Sequence, residues 1–167
     1  NDTGTFNPEA RESSGEIKNT AAQLLYLGES LIQWIKLEEG TFKLIVRNIN
    51  IEELVNEIVM VHKPMASVKN NRIICNIPAH ASCMYDPMLI KVILHNVLLN
   101  ANKFTSNGTI TIRTVVADHC LTMCLEDTGI GMEASAVASL NNLIPVASQK
   151  GTHKETGWGM GYMLIID

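Results

Sequence analysis

Ile90-Lys91-Val92-Ile93-Leu94-His95-Asn96-Val97-Leu98-Leu99-Asn100-Ala101-Asn102-Lys103-Phe104 reads as an amphipathic helix with a peculiar polar flank. At about 100° per residue, Ile90, Ile93, Leu94, Val97, Leu98, Ala101 and Phe104 fall on one apolar stripe. Asn96, Asn100 and Lys103 cluster within about 60° of one another beside that stripe. Such a flank is half-buried and can line a cleft. Amide oxygens can ligate Mg²⁺, and a neighbouring lysine can neutralise phosphate. The pattern equally suits a plain helix with polar outer residues. Asp86-Pro87 marks the start, an N-cap followed by proline at the first helical position.

Outward from this helix, the periodicity alternates between helix and strand. Upstream, a strand is expected over Phe42 to Ile49, then a helix capped by Asn50 and carrying Ile51, Leu54, Val55, Ile58 and Val59. Pro64 should kink or shorten it. Strands follow over Arg72 to Ile77 and Cys83 to Tyr85. Downstream, Ser106-Asn107-Gly108 is a turn, and Thr109 to Val116 and Cys120 to Glu126 pair as a hairpin around Ala117-Asp118. A long loop over 128–156 carries a short helix near Glu133 to Leu140. Gly157 to Gly161 opens a last helix. The fold class is therefore α+β, a two-layer α/β sandwich with helices covering one face of a mixed sheet.

Ahead of this domain, residues 1–15 are polar and read as a flexible start. Ile17, Ala21, Leu24, Gly28, Leu31 and Ile35 recur at alternating steps of four and three, a heptad-like seam on a long helix over 16–40 that ends at Gly40. Such a seam needs a partner helix.

Two further segments carry chemistry. Leu125-Glu126-Asp127-Thr128-Gly129-Ile130-Gly131-Met132 puts a carboxylate at a strand end before two glycines. It can accept from an exocyclic amine while the backbone approaches closely, or it is an ordinary strand-end turn. Gly157-Trp158-Gly159-Met160-Gly161-Tyr162 exposes backbone N–H groups ahead of a helix, which suits an anion. It serves equally as a flexible helix start, and no Gly-Lys-Ser/Thr follows as in a Walker loop.

The 167 residues are 46% hydrophobic and 18% charged, which is globular rather than disordered. A net charge of -4 favours neither nucleic acid nor an anionic membrane, and no apolar run is long enough to span a bilayer. The chain begins at Asn1 without a positively charged leader, so no signal peptide is expected and the sequence reads as a piece of something longer. Cys75, Cys83, Cys120 and Cys124 form no C-x-x-C pair and are expected as small buried hydrophobes in a reducing cytosol, with metal binding as the alternative.

Taken in order, the three chemistry-bearing segments resemble the N, G1 and G2 boxes of the sensor histidine kinase catalytic domain. That domain belongs to a superfamily shared with gyrase, mismatch-repair ATPases and ninety-kilodalton heat-shock chaperones. The resemblance covers residues 41–167 as an ATP-binding kinase domain that stops short of its last strands. Residues 16–40 resemble the second helix of the dimerisation and phosphoacceptor hairpin. Leu31-Ile32-Gln33-Trp34, Tyr85-Asp86-Pro87 and Gly151-Thr152 further resemble hybrid sensor kinases of gut bacteria.

The resemblance implies ATP and Mg²⁺ as cofactors. It places Asn96 near the γ-phosphate and makes Asn96 and Lys103 the catalytic pair. Asn100 becomes the metal ligand, Lys103 the phosphate-facing lysine and Asp127 the adenine-reading aspartate. Gly129, Gly131 and Met132 shape the pocket beside Asp127. Gly157, Gly159 and Gly161 close the lid, which would span 133–156. Trp158 stands where the family usually has Thr or Ser, and Asn102 where it usually has an apolar residue. No phenylalanine-centred lid motif is present.

No phosphoacceptor is expected in this chain, because His62, His80, His95, His119 and His153 lack the family's acidic, basic and Thr-Pro surroundings. His95 is expected at a cleft edge or on the surface. The implied activity is transfer of the ATP γ-phosphate to a histidine elsewhere. The implied partners are a second copy bound through 16–40, an acceptor helix and a response regulator or receiver domain. The implied place is the cytoplasm, free or as part of a membrane-anchored sensor. The competing reading is a catalytically degenerate nucleotide-binding or dimerisation module. A gyrase- or chaperone-like clamp is disfavoured, because Asn96 stands where those families carry a glutamate base.

Overall fold

The computed structural model describes residues 21, 25, 28, 32, 35, 36, 39, 41, 43–118, 120–142, 151 and 152. The chain divides into two compact units, Asn1–Phe42 and Lys43–Asp167. In the first, Ala21, Leu25, Gly28, Ile32, Ile35 and Lys36 are helical. Thr41 N–H donates to the Lys36 carbonyl at 3.0 Å, the closing bond of a Schellman-type helix end.

The second unit begins with β1 (Arg47–Asn50), α1 (Ile51–Val68), β2 (Arg72–Asn76) and β3 (Ser82–Tyr85). It continues with α2 (Pro87–Phe104), β4 (Thr109–Ala117), β5 (Cys120–Asp127) and α3 (Ala134–Asn141). β1 pairs antiparallel with β3, from Arg47 opposite Tyr85 to Asn50 opposite Ser82. A mixed sheet of order β2-β4-β5 pairs β2 and β4 parallel and β4 and β5 antiparallel. The β2–β4 pair is parallel because α2 supplies the crossover between them.

Caps explain where the helices start. The Asn50 side chain accepts from Glu53 N–H, and Asp86 Oδ1 accepts from Met88 N–H at 2.9 Å. Two expectations are corrected. The first strand starts at Arg47 rather than residue 42, because its partner β3 ends at Tyr85. Pro64 does not shorten α1, which runs on to Val68. Pro64 and Met60 both lie on the exposed side, where water can serve the Met60 carbonyl that a proline N–H cannot.

The core joins both helices to one face of the mixed sheet. Ile51, Leu54, Val55 and Ile58 of α1 meet Leu94, Leu98 and Ala101 of α2 over Ile110 and Ile112 of β4. Leu121, Met123 and Leu125 of β5 pack against the same cluster. In the hairpin register, Ile110 lies opposite Asp127 and Ile112 opposite Leu125. Asp127 is therefore the last position on the helix-covered face. The opposite face carries exposed polar pairs such as Arg113 and Glu126, 2.6 Å apart, so the sandwich has two layers.

Candidate functional site

The helix α2 carries the polar flank, and its burial differs from the sequence expectation. The buried residues are Val92, Leu94, His95, Leu98 and Ala101. Ile93, Val97 and Phe104 are only half-buried. The buried face is turned by about a quarter turn from the apolar stripe, toward α1. Asn96, Asn100 and Lys103, all half-buried, then lie on the side away from the core. They sit beside Ile93, Val97 and Phe104, so the partly open face mixes apolar surface with amides and a cation.

Asn96 donates from Nδ2 to the Val92 carbonyl at 2.9 Å. That bond anchors the amide to its own helix and turns its oxygen into the acceptor available for a ligand. Lys103 Nζ lies 4.8 Å from the centre of the Phe104 ring.

The Asp127 turn is fastened to the end of this helix. Ile130 N–H donates to the Phe104 carbonyl at 3.1 Å. A Cβ on Gly129 would sit 2.4 Å from that carbonyl oxygen and 2.7 Å from Asp127 Oδ1, so only glycine permits the approach. Gly131 adopts a φ of +71, a left-handed backbone that glycine accepts freely. Asp127 Oδ1 accepts from Gly129 N–H at 2.9 Å and from Thr105 Oγ1 at 3.3 Å. Asp127, Gly131 and Met132 are exposed. The structure thus brings together Asp127, Gly129 and the C-terminal end of the helix that bears Asn96, Asn100 and Lys103. Gly157, Trp158, Gly159 and Gly161 lie outside the described residues. Thr152 N–H, from the expected lid segment, donates to the Lys103 carbonyl at 3.0 Å.

The helix end is further held by groups the sequence did not single out. Lys69 Nζ donates to the Asn102 and Lys103 carbonyls, each at 2.8 Å, a cation placed at the negative end of the helix dipole. Asn71 Nδ2 donates to Asn102 Oδ1 at 2.9 Å and to the Thr105 carbonyl at 2.8 Å, and Asn71 Oδ1 accepts from Gly108 N–H at 3.1 Å. The Asn102 side chain therefore meets a polar partner. The one available signal was Lys69 through Asn71, polar residues between two apolar elements.

His95 is not at a cleft edge. It is 3% exposed and faces His62, 2% exposed, with Nε2 of His62 and Nδ1 of His95 2.8 Å apart. Burial lowers His62 to about 3, helped by the neighbouring His95 ring, and burial lowers His95 to about 4. Both rings are neutral near neutral pH, one donating and one accepting. The covering α1 accounts for the correction. The four cysteines are free thiols; Cys120 is exposed and the others half-buried, where all four were expected to be buried. His119 lies outside the described residues.

Residues 85–165 match the family described as histidine kinase-, DNA gyrase B-, and HSP90-like ATPase. Over 166 residues the chain is 27% identical to the sensor protein GacS of Pseudomonas syringae pv. syringae, covering 94% of this chain and 18% of that protein. It resembles the solved Acinetobacter baumannii histidine kinase AdeS with a TM-score of 0.65 at 16% identity, covering 97% of this chain and 74% of that one. It also resembles full-length ShkA in complex with AMPPNP, with a TM-score of 0.65 at 21% identity, covering 96% of this chain and 34% of that one. The family match falls on the segment that holds α2, the Asp127 turn and the residues that follow it. The curated relatives that it resembles are named as sensor proteins and sensor histidine kinases, and the chain spans less than a fifth of their length.

Proposed function

We propose that this chain is the catalytic module of a sensor histidine kinase, binding ATP through Asp127 and the Asn96, Asn100 and Lys103 flank. The γ-phosphate then passes to a histidine outside the chain. The observation that carries the reading is the Asp127 turn hydrogen-bonded to the end of the helix that displays both asparagines and the lysine. Asp127 Oδ2 has no donor among the described residues and is the oxygen offered to an exocyclic amine. The solved AMPPNP complex of ShkA, a protein of the same fold, supports a triphosphate ligand.

The amide oxygens on α2 suit Mg²⁺, a hard cation that takes few protein ligands and keeps several waters. Asn100 would hold it, and its role there is to neutralise phosphate charge. Lys103 adds a second positive charge on the same flank, and Asn96 presents its oxygen as an acceptor. Phosphoryl transfer needs little else from the protein, because positioning and charge stabilisation dominate it. Gly129, Gly131 and Met132 border the base, and Gly157, Gly159 and Gly161 close over the triphosphate. A second copy, joined through residues 16–40, an acceptor helix, and a response regulator or receiver domain complete the signalling unit in the cytoplasm.

Calorimetric titration with ATP or a non-hydrolysable analogue, with and without Mg²⁺, tests the reading. Magnesium-dependent binding is expected. A folded protein that binds nothing at millimolar nucleotide would overturn it.

A further inference from the structure

We infer that Thr105 is a positioning residue for Asp127, fixing which carboxylate oxygen meets the base of the nucleotide; the inference rests on the nucleotide reading above. Thr105 is fully buried, at 0% exposure, although it carries a hydroxyl. A buried hydroxyl left without a partner costs stability, and the partner here is Asp127 Oδ1 at 3.3 Å. That is a long hydrogen bond, of a kind that tightens when a ligand completes a site.

Gly129 N–H donates to the same oxygen at 2.9 Å. Both donors therefore act on Oδ1, and none among the described residues acts on Oδ2. With two donors on one oxygen the carboxylate is held in one orientation, and Oδ2 is left to accept. With Gly129 alone, either oxygen could fill the bond as the carboxylate turns about its terminal torsion, which is broad.

Thr105 is itself held. Its carbonyl accepts from Asn71 Nδ2 at 2.8 Å, and Asn71 ties Asn102 to Gly108 around it. Asn102, through its bond to Asn71, belongs to the frame that fixes Thr105. Base selection in this chain thus depends on a hydroxyl that does not itself touch the ligand.

The test titrates ATP and GTP, in magnesium buffer, into the full chain and its Thr105→Val, Thr105→Ser and Asp127→Ala variants, with thermal melts alongside. Thr105→Val keeps the shape and deletes the hydroxyl. It should weaken ATP about three- to tenfold and leave GTP nearly unchanged, so the selectivity ratio falls by the same factor. Thr105→Ser restores the hydroxyl and should return the ratio to the wild-type value. A merely structural role would lower the melting temperature and leave the ratio unmoved, which overturns the inference. Should Thr105→Val not fold, Thr105→Ala deletes the same hydroxyl and the same outcome is expected. If Asp127→Ala abolishes ATP selectivity while Thr105→Val does not alter it, the inference fails and the nucleotide reading stands. If Asp127→Ala also changes nothing, both fall.

Discussion

If Asp127 reads the base as proposed, the choice of nucleotide reduces to which group of the base faces Oδ2. Adenine presents an amine there, and guanine presents a carbonyl oxygen. Two acceptors facing each other, one charged, cost about 1–3 kcal/mol once the bound base has displaced water. ATP is therefore expected to bind at least about tenfold tighter than GTP. Asp127→Asn should weaken ATP and narrow the gap, because the amide can turn to present a donor to guanine. A competition titration of both nucleotides, with circular dichroism to check folding, measures this; wild-type affinity and selectivity in the mutant would reduce Asp127 to a turn residue. His62 and His95 make a second residue-scale prediction, about acid stability. Their folded pKa values, about 3 and about 4, lie below the ordinary 6.5. The unfolded chain takes up protons first as pH falls. The stability these rings contribute is whole above about 6.5 and is lost progressively as pH drops through the folded values. Unfolding free energies from urea titrations at pH 7 and pH 5 should differ by on the order of 3 kcal/mol from this pair alone. His62→Leu combined with His95→Leu should flatten that slope, whereas either alone strands a buried ring nitrogen.

Elements are set by caps and by the partners they find. Asp86 is 5% exposed and does two things: Oδ1 caps Met88 N–H, and Oδ2 accepts from Ile45 N–H at 2.8 Å. Asp86→Ala removes the cap of α2 and leaves the Ile45 amide without its acceptor. The expected loss is about 1–3 kcal/mol, read from chemical unfolding. A loss near zero would mean that Pro87 alone starts the helix. This cap, the Asn50 cap and the hairpin were legible, because capping and strand alternation are local in sequence. The start of β1 at Arg47 was not, since it depends on the length of β3, thirty-odd residues later. Nor was the rotation of the buried face of α2, which α1 imposes and which moved His95 from an expected edge into the core. The polar flank was legible as Asn96, Asn100 and Lys103, and Asp127 as a strand-end carboxylate. Their joining was not, because the bond from Ile130 N–H to the Phe104 carbonyl spans a turn whose geometry no spacing rule specifies. Thr105 escaped notice because an unremarkable threonine after a helix carries no pattern of its own.

For the molecule as a whole, the first unit poses the question of assembly. Leu25, Ile32 and Ile35 of its helical residues are 69%, 53% and 41% exposed. A Cβ on Gly28 would meet nothing within 4 Å. Gly28 and Ile35 belong to the heptad-like seam with Ile17, Ala21, Leu24 and Leu31, and a small residue in a seam lets a second helix approach closely. Each large apolar side chain covered by a partner contributes about 1.5–3 kcal/mol. A two-fold dimer counts every seam residue twice, because the same patch meets itself. Self-association through residues 16–40 is therefore the expected state. Ile35→Glu places two carboxylates where two apolar side chains would meet, and should shift the protein from dimer to monomer in sedimentation or light scattering at micromolar concentration. The second unit has its own core, built of Ile51, Val55, Leu98, Ile110 and Ile112. Its affinity for ATP should then be unchanged in the Ile35→Glu variant, and its melting temperature should fall only by whatever association contributed. A wild-type chain that sediments as a monomer at every concentration would remove the seam from the account. An Ile35→Glu variant that remains dimeric would place the interface elsewhere on the molecule.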